Sequence, residues 1–323
     1  MYKKLIFTML FLILFNSIKA QTCCSGGIPL SNNVGLAILE KGTIQFGMAY
    51  DYNYLNTLNN GSEKLNDDAR LRITHSVLIN AGYAITDKLS AEGLFTWVNQ
   101  RRKISQFGNE NLDQTSGIGD ALLLLKYKFS NAIGKNSDIN IGVGTKIPLG
   151  SSTEKNDQGI TLSADLQPGS NAWDAIYYSS ISKSMDFRPS FNISSRIIYR
   201  STGTNNSYFG DTNYKFGNEF QASVGFSDQF ILFNTITASG ISFKYRNAKH
   251  DKIEKFDLES TGGNWVSVIP NISINITPNL VFSTKAELPI YSNVNGTQLT
   301  PTYRLTTGLL FTIAPKKEFL ILN

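Results

Sequence analysis

The sequence predicts an all-β fold: an antiparallel transmembrane up-and-down β-barrel of about 12 strands. Three observations carry this. Segment after segment alternates apolar and polar residues with period 2, so that one face is greasy and the other is not. The connections between those segments alternate between tight turns and long polar loops. Charged residues are only 17% of the chain, below the ~25% usual for soluble domains.

The first element is set apart from the barrel. Lys3 and Lys4 precede an apolar run over residues 5–15, and the small residue Ala20 follows. That run is shorter than the ~20 residues a membrane-spanning helix needs. A basic start, a short apolar centre and a small residue at the end describe a secretory signal peptide, residues 1–20, cleaved after Ala20. Residues 21–41 then read as an irregular periplasmic or plug-like lead-in. They contain the only cysteines, Cys23 and Cys24. Neighbouring Cα atoms sit ~3.8 Å apart, too close for an unstrained disulfide. With no histidine nearby the pair lacks the ligands of a closed metal site, so neither metal nor cofactor is expected.

The barrel is expected over residues 42–313. Residues 43–55 put Ile44, Phe46, Met48, Tyr50, Tyr52 and Tyr54 on one face and Gln45, Gly47, Ala49, Asp51 and Asn53 on the other. Residues 72–85 follow a polar loop and align Ile73, Val77, Ile79, Tyr83 and Ile85; residues 89–99 present Leu89, Phe95 and Trp97. A long loop is expected over 100–116. Residues 117–129 then set Leu123, Leu125, Tyr127 and Phe129 against Asp120, Lys126 and Lys128, and residues 139–148 set Ile139, Ile141, Val143 and Ile147 against Lys146. After a long loop over 149–170 come strands at 173–183 and 187–200, the latter opposing Ile197 and Tyr199 to Arg196 and Arg200. Residues 214–226 place Tyr214, Phe216, Phe220 and Val224 opposite Lys215, Glu219 and Gln221. The phase is ambiguous over 230–245, where a bulge would disturb it. Strands at 265–276, 280–294 and 302–313 complete the set, with residues 314–323 as a C-terminal tail.

The turns at 86–88, 185–186, 227–229 and 277–279 are tight, whereas the intervening loops are long. Short periplasmic turns and long outer loops are the asymmetry of an outer-membrane barrel. Backbone groups in lipid must all be paired, so the strand at 302–313 has to meet the strand at 43–55. Tyr50, Tyr52, Tyr54, Trp97, Tyr199, Trp265 and Tyr303 fall towards the long loops, and Tyr83, Tyr127 and Phe129 towards the short turns, as two aromatic girdles would.

With the apolar face in lipid, the polar face lines a lumen. Its charged residues are Glu92, Asp120, Lys126, Lys146, Asp174, Arg196, Arg200, Lys215, Glu219, Lys285, Glu287 and Arg304. They can form a constriction that selects solutes or a salt-bridged interior that braces the wall. Basic groups slightly outnumber acidic ones, which favours anions. The two histidines exclude most catalysis: His75 falls on the lipid face and His250 in a charged loop, and Thr74-His75-Ser76 does not resemble the histidine–serine motif of outer-membrane phospholipases. The net charge of +5 is spread over scattered Lys and Arg, without the clustering of a nucleic-acid surface.

Four ordered stretches carry a resemblance. They are Gly117-Ile118-Gly119-Asp120 leading to Lys126-Tyr127; Gly142-Val143-Gly144-Thr145-Lys146-Ile147-Pro148-Leu149-Gly150; Leu166-Gln167-Pro168-Gly169-Ser170 with Trp173-Asp174; and Pro289-Ile290-Tyr291 with Val294-Asn295-Gly296-Thr297-Gln298-Leu299. Together they resemble the outer-membrane transporter family associated with meta-cleavage phenol degradation. Asn171-Ala172 and the cysteine pair depart from its pattern. The resemblance implies a barrel in the cell outer membrane that passes small aromatic or hydrophobic compounds. Gly308, Phe311 and Ile313 in turn look like the closing-strand signal read by the outer-membrane assembly machinery. The expected partners are therefore the lipid bilayer, that machinery and a small solute. Three functions follow: a passive channel, a non-conducting structural or adhesive barrel acting through its long outer loops, and a gated barrel plugged by residues 21–41.

Overall fold

The computed structural model describes residues 21–22, 34–106 and 108–315. The expected signal peptide, Cys23, Cys24 and residues 316–323 of the expected tail lie outside the described residues.

The alternating segments become thirteen long strands: β1 (Ile44–Asn60), β2 (Arg70–Ala84), β3 (Leu89–Gln106), β4 (Asn109–Ile118), β5 (Ala121–Ser130), β6 (Ser137–Ile147), β7 (Asp174–Met185), β8 (Arg188–Ser201), β9 (Glu219–Leu232), β10 (Thr235–Ala248), β11 (Gly263–Thr277), β12 (Leu280–Val294) and β13 (Thr297–Ile313). β4 and β5 pair with successive lengths of β3, with Gly119 and Asp120 at the break between them, so the wall has 12 staves. Every long strand is antiparallel to its neighbours. β13 closes on β1, from Thr297↔Asn60 to Ile313↔Ile44, with register irregularities flanking Pro301. Proline cannot donate to the ladder, which accounts for the irregularity there.

Period 2 sorts the side chains between two solvents. On β1, Ile44, Phe46, Met48 and Tyr50 point outward and are 44–54% exposed, whereas Gln45, Asp51 and Asn53 point inward and are buried. The same outward belt continues through Phe95, Leu123, Leu125, Val143, Tyr177, Leu309 and Phe311. A continuous apolar belt around a closed sheet is a lipid-facing surface. Among the described residues no helix is long and apolar enough to cross a membrane; the strands make the wall.

Four sequence expectations are corrected. The loop expected at 100–116 is a β-ladder, because β3 and β4 continue to Gln106↔Asn109. The strand expected at 214–226 begins only at Glu219. Tyr214 and Lys215 instead belong to a small outer sheet of Asn205–Tyr208, Thr212–Lys215, Lys252–Ile253 and Phe256–Asp257, so Lys215 does not line the lumen. Alternation persists across that junction, which is why the two pieces read as one strand. The turn expected at 227–229 lies instead at Phe233 and Asn234, with φ of 46° and 61°, the positive values that a two-residue hairpin requires. Trp265 is not in a girdle: it faces inward, 4% exposed, with the Arg246 guanidinium 4.6 Å from its ring.

Leu309→Arg, placed mid-strand on the lipid face, is expected to cost about 2–4 kcal/mol. Urea unfolding in lipid vesicles measures this, and an unchanged midpoint would contradict the assignment of that face to lipid.

Candidate functional site: an ion-paired lumen narrowed from both ends

Register brings opposite charges together on the inner wall. Lys146 stands across from Asp174, Arg200 across from Glu219, and Glu287 across from Arg304. Opposite charges at facing positions attract, and here they join into a chain. Lys146 Nζ lies 3.0 Å from Asp120 and 3.1 Å from Asp174. Arg200 reaches Asp174 at 3.9 Å and Glu219 at 3.3 Å, and Arg246 meets the same Glu219 oxygen at 3.0 Å. Further round, Lys244 pairs with Glu287, and Arg304 Nε donates to both carboxylate oxygens of Asp51 at 2.9 Å. Lys126 pairs with Glu92 at 2.8 Å. Asp120, Lys126, Lys146, Asp174, Arg200 and Glu219 are each buried. Arg196 and Lys285 line the open part of the lumen described below.

The outer end is narrowed by the loop at 149–173, which folds into the barrel. Asp120 holds both ends of it: its carboxylate accepts from the Gly150 amide at 3.2 Å and from the amide and hydroxyl of Ser170 at 3.1 and 2.7 Å. Gly150 and Gly169 lie back to back, so a Cβ on Gly150 would sit 2.7 Å from Gly169 Cα; only glycine permits that approach. At the tip is a 3₁₀ turn, Ala164–Leu166. Arg72 donates to the Asp165 carboxylate at 2.8 Å and to its carbonyl at 2.5 Å. Gln100 and Thr115 donate to the Leu166 carbonyl at 3.2 and 2.6 Å. Above the tip, Ala164 donates to the Tyr208 hydroxyl at 3.1 Å and packs with Tyr208, Tyr214 and Phe216. Burial pushes Tyr208 up to about 12, so this cap carries a neutral phenol at physiological pH. Tyr214 donates to Asp251 at 2.6 Å, and burial raises the carboxyl of Asp251.

The inner end is narrowed by the lead-in. The amides of Gly35 and Leu36 each donate to Glu92 at 3.0 Å. Lys126 donates to the Leu36 carbonyl, and Lys128 to the Ile38 carbonyl at 2.8 Å. Gly35 has φ of +100° and lies against the Tyr178 ring where no Cβ would fit. Val34 enters a buried cluster with Leu78, Leu94, Leu122, Leu124, Ile176, Tyr178 and Ile198. One half of the lumen is therefore apolar and filled. The other half is a cavity of about 800 Å³, where serines from several staves face the lead-in.

The apolar half is what sequence reasoning missed. Its signal is present in runs that are apolar on both faces: Ala121-Leu122-Leu123-Leu124-Leu125, Val77-Leu78-Ile79 and Ile197-Ile198-Tyr199. Lys244 escapes a sequence reading because it falls where the phase is ambiguous, Arg246 because it opens what reads as a charged loop over 246–263 although the strand runs on to Ala248, and Arg72 because it opens its predicted strand. His75 points outward with its Nδ1 2.5 Å from the Tyr50 hydroxyl, and His250 Nδ1 lies 3.0 Å from the Leu258 carbonyl. Among the described residues no three His, Cys, Asp or Glu are grouped to hold a metal.

The family described as "Putative MetA-pathway of phenol degradation" matches residues 69–290. The fold is that of an outer-membrane channel from Pseudomonas putida F1, with a TM-score of 0.67 at 15% identity over 88% of this chain and 100% of that one. Weaker likenesses are to the β domain of the Bordetella autotransporter BrkA (TM-score 0.47, 8% identity, 84% of this chain and 100% of that one) and to the NanC porin (0.43, 11%, 83% and 98%). A search of curated proteins finds no match. The closed barrel lies in the outer membrane.

Lys146→Met would leave Asp120 and Asp174 buried without their shared cation. A loss of about 3–5 kcal/mol is expected, read as a lower urea midpoint and a lower temperature for the shift from folded to unfolded mobility on a denaturing gel.

Proposed function

We propose, since the chain belongs to the family of the MetA pathway of phenol degradation, that it is a passive channel for small aromatic or hydrophobic solutes. The apolar half of the lumen carries this reading. A barrel braced only by charge has no use for Leu78, Leu94, Leu122, Leu124, Ile176 and Ile198 facing inward; an apolar solute does. The paired charges beside them support it further, because a neutralised wall repels neither a neutral solute nor its weakly charged relatives.

On this reading residues 21–41 act as a plug. Val34 occupies the apolar surface that a solute would use, and four hydrogen bonds to charged side chains hold residues 35–38 in place. Bonds of that kind contribute roughly 1.5–3 kcal/mol each, so the segment stays in place until something competes for its partners. The adhesive alternative draws no support from the longest outer loop, which folds inward onto Asp120 and Arg72. A non-enzymatic role agrees with His75 facing lipid. Gly308, Phe311 and Ile313 serve on this reading as the assembly signal; Phe311 and Ile313 face outward, where lipid or another protein can reach them.

Planar-bilayer recording tests the channel and the plug together. Deleting residues 21–41 is expected to raise single-channel conductance severalfold, and Val34→Asp to raise it less. The same low conductance in all three proteins would refute the plug, and no conductance in any of them would refute the channel.

A further inference from the structure

The open half of the lumen is built differently from the filled half. Its wall carries Ser194, Ser223, Gly225, Ser242 and Asn271, side chains too small to fill the space between staves, and a cavity of about 800 Å³ remains. Arg196 and Lys285 reach into it from β8 and β12, on opposite sides of that wall, and lie within electrostatic reach of each other. Asp51 and Glu287 act on Lys285, which keeps partners of its own, so the unused donor in this part of the cavity belongs to Arg196. The acids that line the cavity itself, Glu40 and Asp138, sit at its periplasmic mouth, next to the start of β1 and of β6. Among the described residues Arg196 has no carboxylate within ion-pair distance, and its buried Nε has no hydrogen-bond partner. Two neighbouring cations, one with an unused donor, facing open space ringed by hydroxyls, form a receptor for an anion.

Apolar groups also border this cavity. Leu36 and Ile38 of the lead-in, Tyr178 and Ile269 border it. We propose that this vestibule binds a small amphiphilic organic acid, its carboxylate between Arg196 and Lys285 and its apolar body against Ile38, Tyr178 and Ile269. The planar guanidinium suits a carboxylate in two-point contact, and the apolar border distinguishes an organic acid from an inorganic anion. This deepens the channel reading and rests on it for its meaning: the solute class includes acids, and the bound acid touches the plug segment directly.

The test uses the full mature chain in detergent micelles, so that binding is read without transport and a barrel that fails to conduct still reports on the site. Benzoate, its neutral counterpart benzyl alcohol and inorganic phosphate serve as probes, with affinity measured by calorimetry. Benzoate is expected to bind at least about tenfold more tightly than benzyl alcohol, and Arg196→Gln and Lys285→Gln each to remove about that factor. Ser242→Leu, which fills the space and keeps both cations, is expected to abolish benzoate binding and guards against a charge variant that fails to fold. Equal affinity for benzoate and benzyl alcohol would overturn the proposal. So would benzoate binding unchanged in the variants, or phosphate displacing benzoate at equal concentration.

Discussion

Everything in this molecule depends on the pairing of β13 with β1. A sheet in lipid cannot leave a strand edge open, because each unpaired amide or carbonyl costs several kcal/mol where no water can replace the missing partner. The ladder from Thr297↔Asn60 to Ile313↔Ile44 removes that edge. Once the sheet is closed, the pleat does the rest. Outward positions meet lipid and have to be apolar, and inward positions are enclosed and free to carry charge. The buried chain of Asp120, Lys146, Asp174, Arg200, Glu219 and Arg246 is tolerable only because closure places each charge opposite its partner.

The family-like stretches make sense in that frame. They are far apart in sequence but converge on one place. Gly119 and Asp120 mark the break between β4 and β5, Lys146 closes β6, and Gly150, Gly169 and Ser170 belong to the loop that enters the lumen. Asp174 begins β7 and shares Lys146 with Asp120. The glycines allow the two ends of the loop to touch, and Asp120 ties those ends to the wall. These residues build a constriction, and the charge at its centre ties the loop to the wall.

Below the constriction the lumen has two unlike halves. One is apolar and holds the lead-in; the other is polar, open and basic at its upper end. A solute with a ring and an acidic group would find both surfaces within one cavity. Tight packing explains why the halves differ in accessibility: leucine and isoleucine fill the space between staves, whereas serine and glycine leave it empty.

Much of the fold was legible in the sequence. The strand pattern, the closing partner and the inward placement of Asp120, Lys126, Lys146, Asp174, Arg200 and Arg304 follow from alternation, since a period of 2 assigns each residue to a face once one face is known. Alternation is blind to what lies beyond the strand. It could not separate Tyr214 and Lys215 from the barrel wall, because a short outer sheet alternates as well. It could not find the turn at Phe233 and Asn234, because Phe233 lacks the usual turn chemistry although Asn234 has it. It did not reveal that Val34 and Leu166 enter the lumen from opposite ends, since those contacts join segments that no local pattern connects. The sequence by itself determined a closed barrel with a charged interior, because strand periodicity and the lipid solvent leave little choice. Only the tertiary structure decided which charges pair, which half of the lumen is filled and where Arg196 and Lys285 face open space, because those depend on distances across the barrel rather than along the chain.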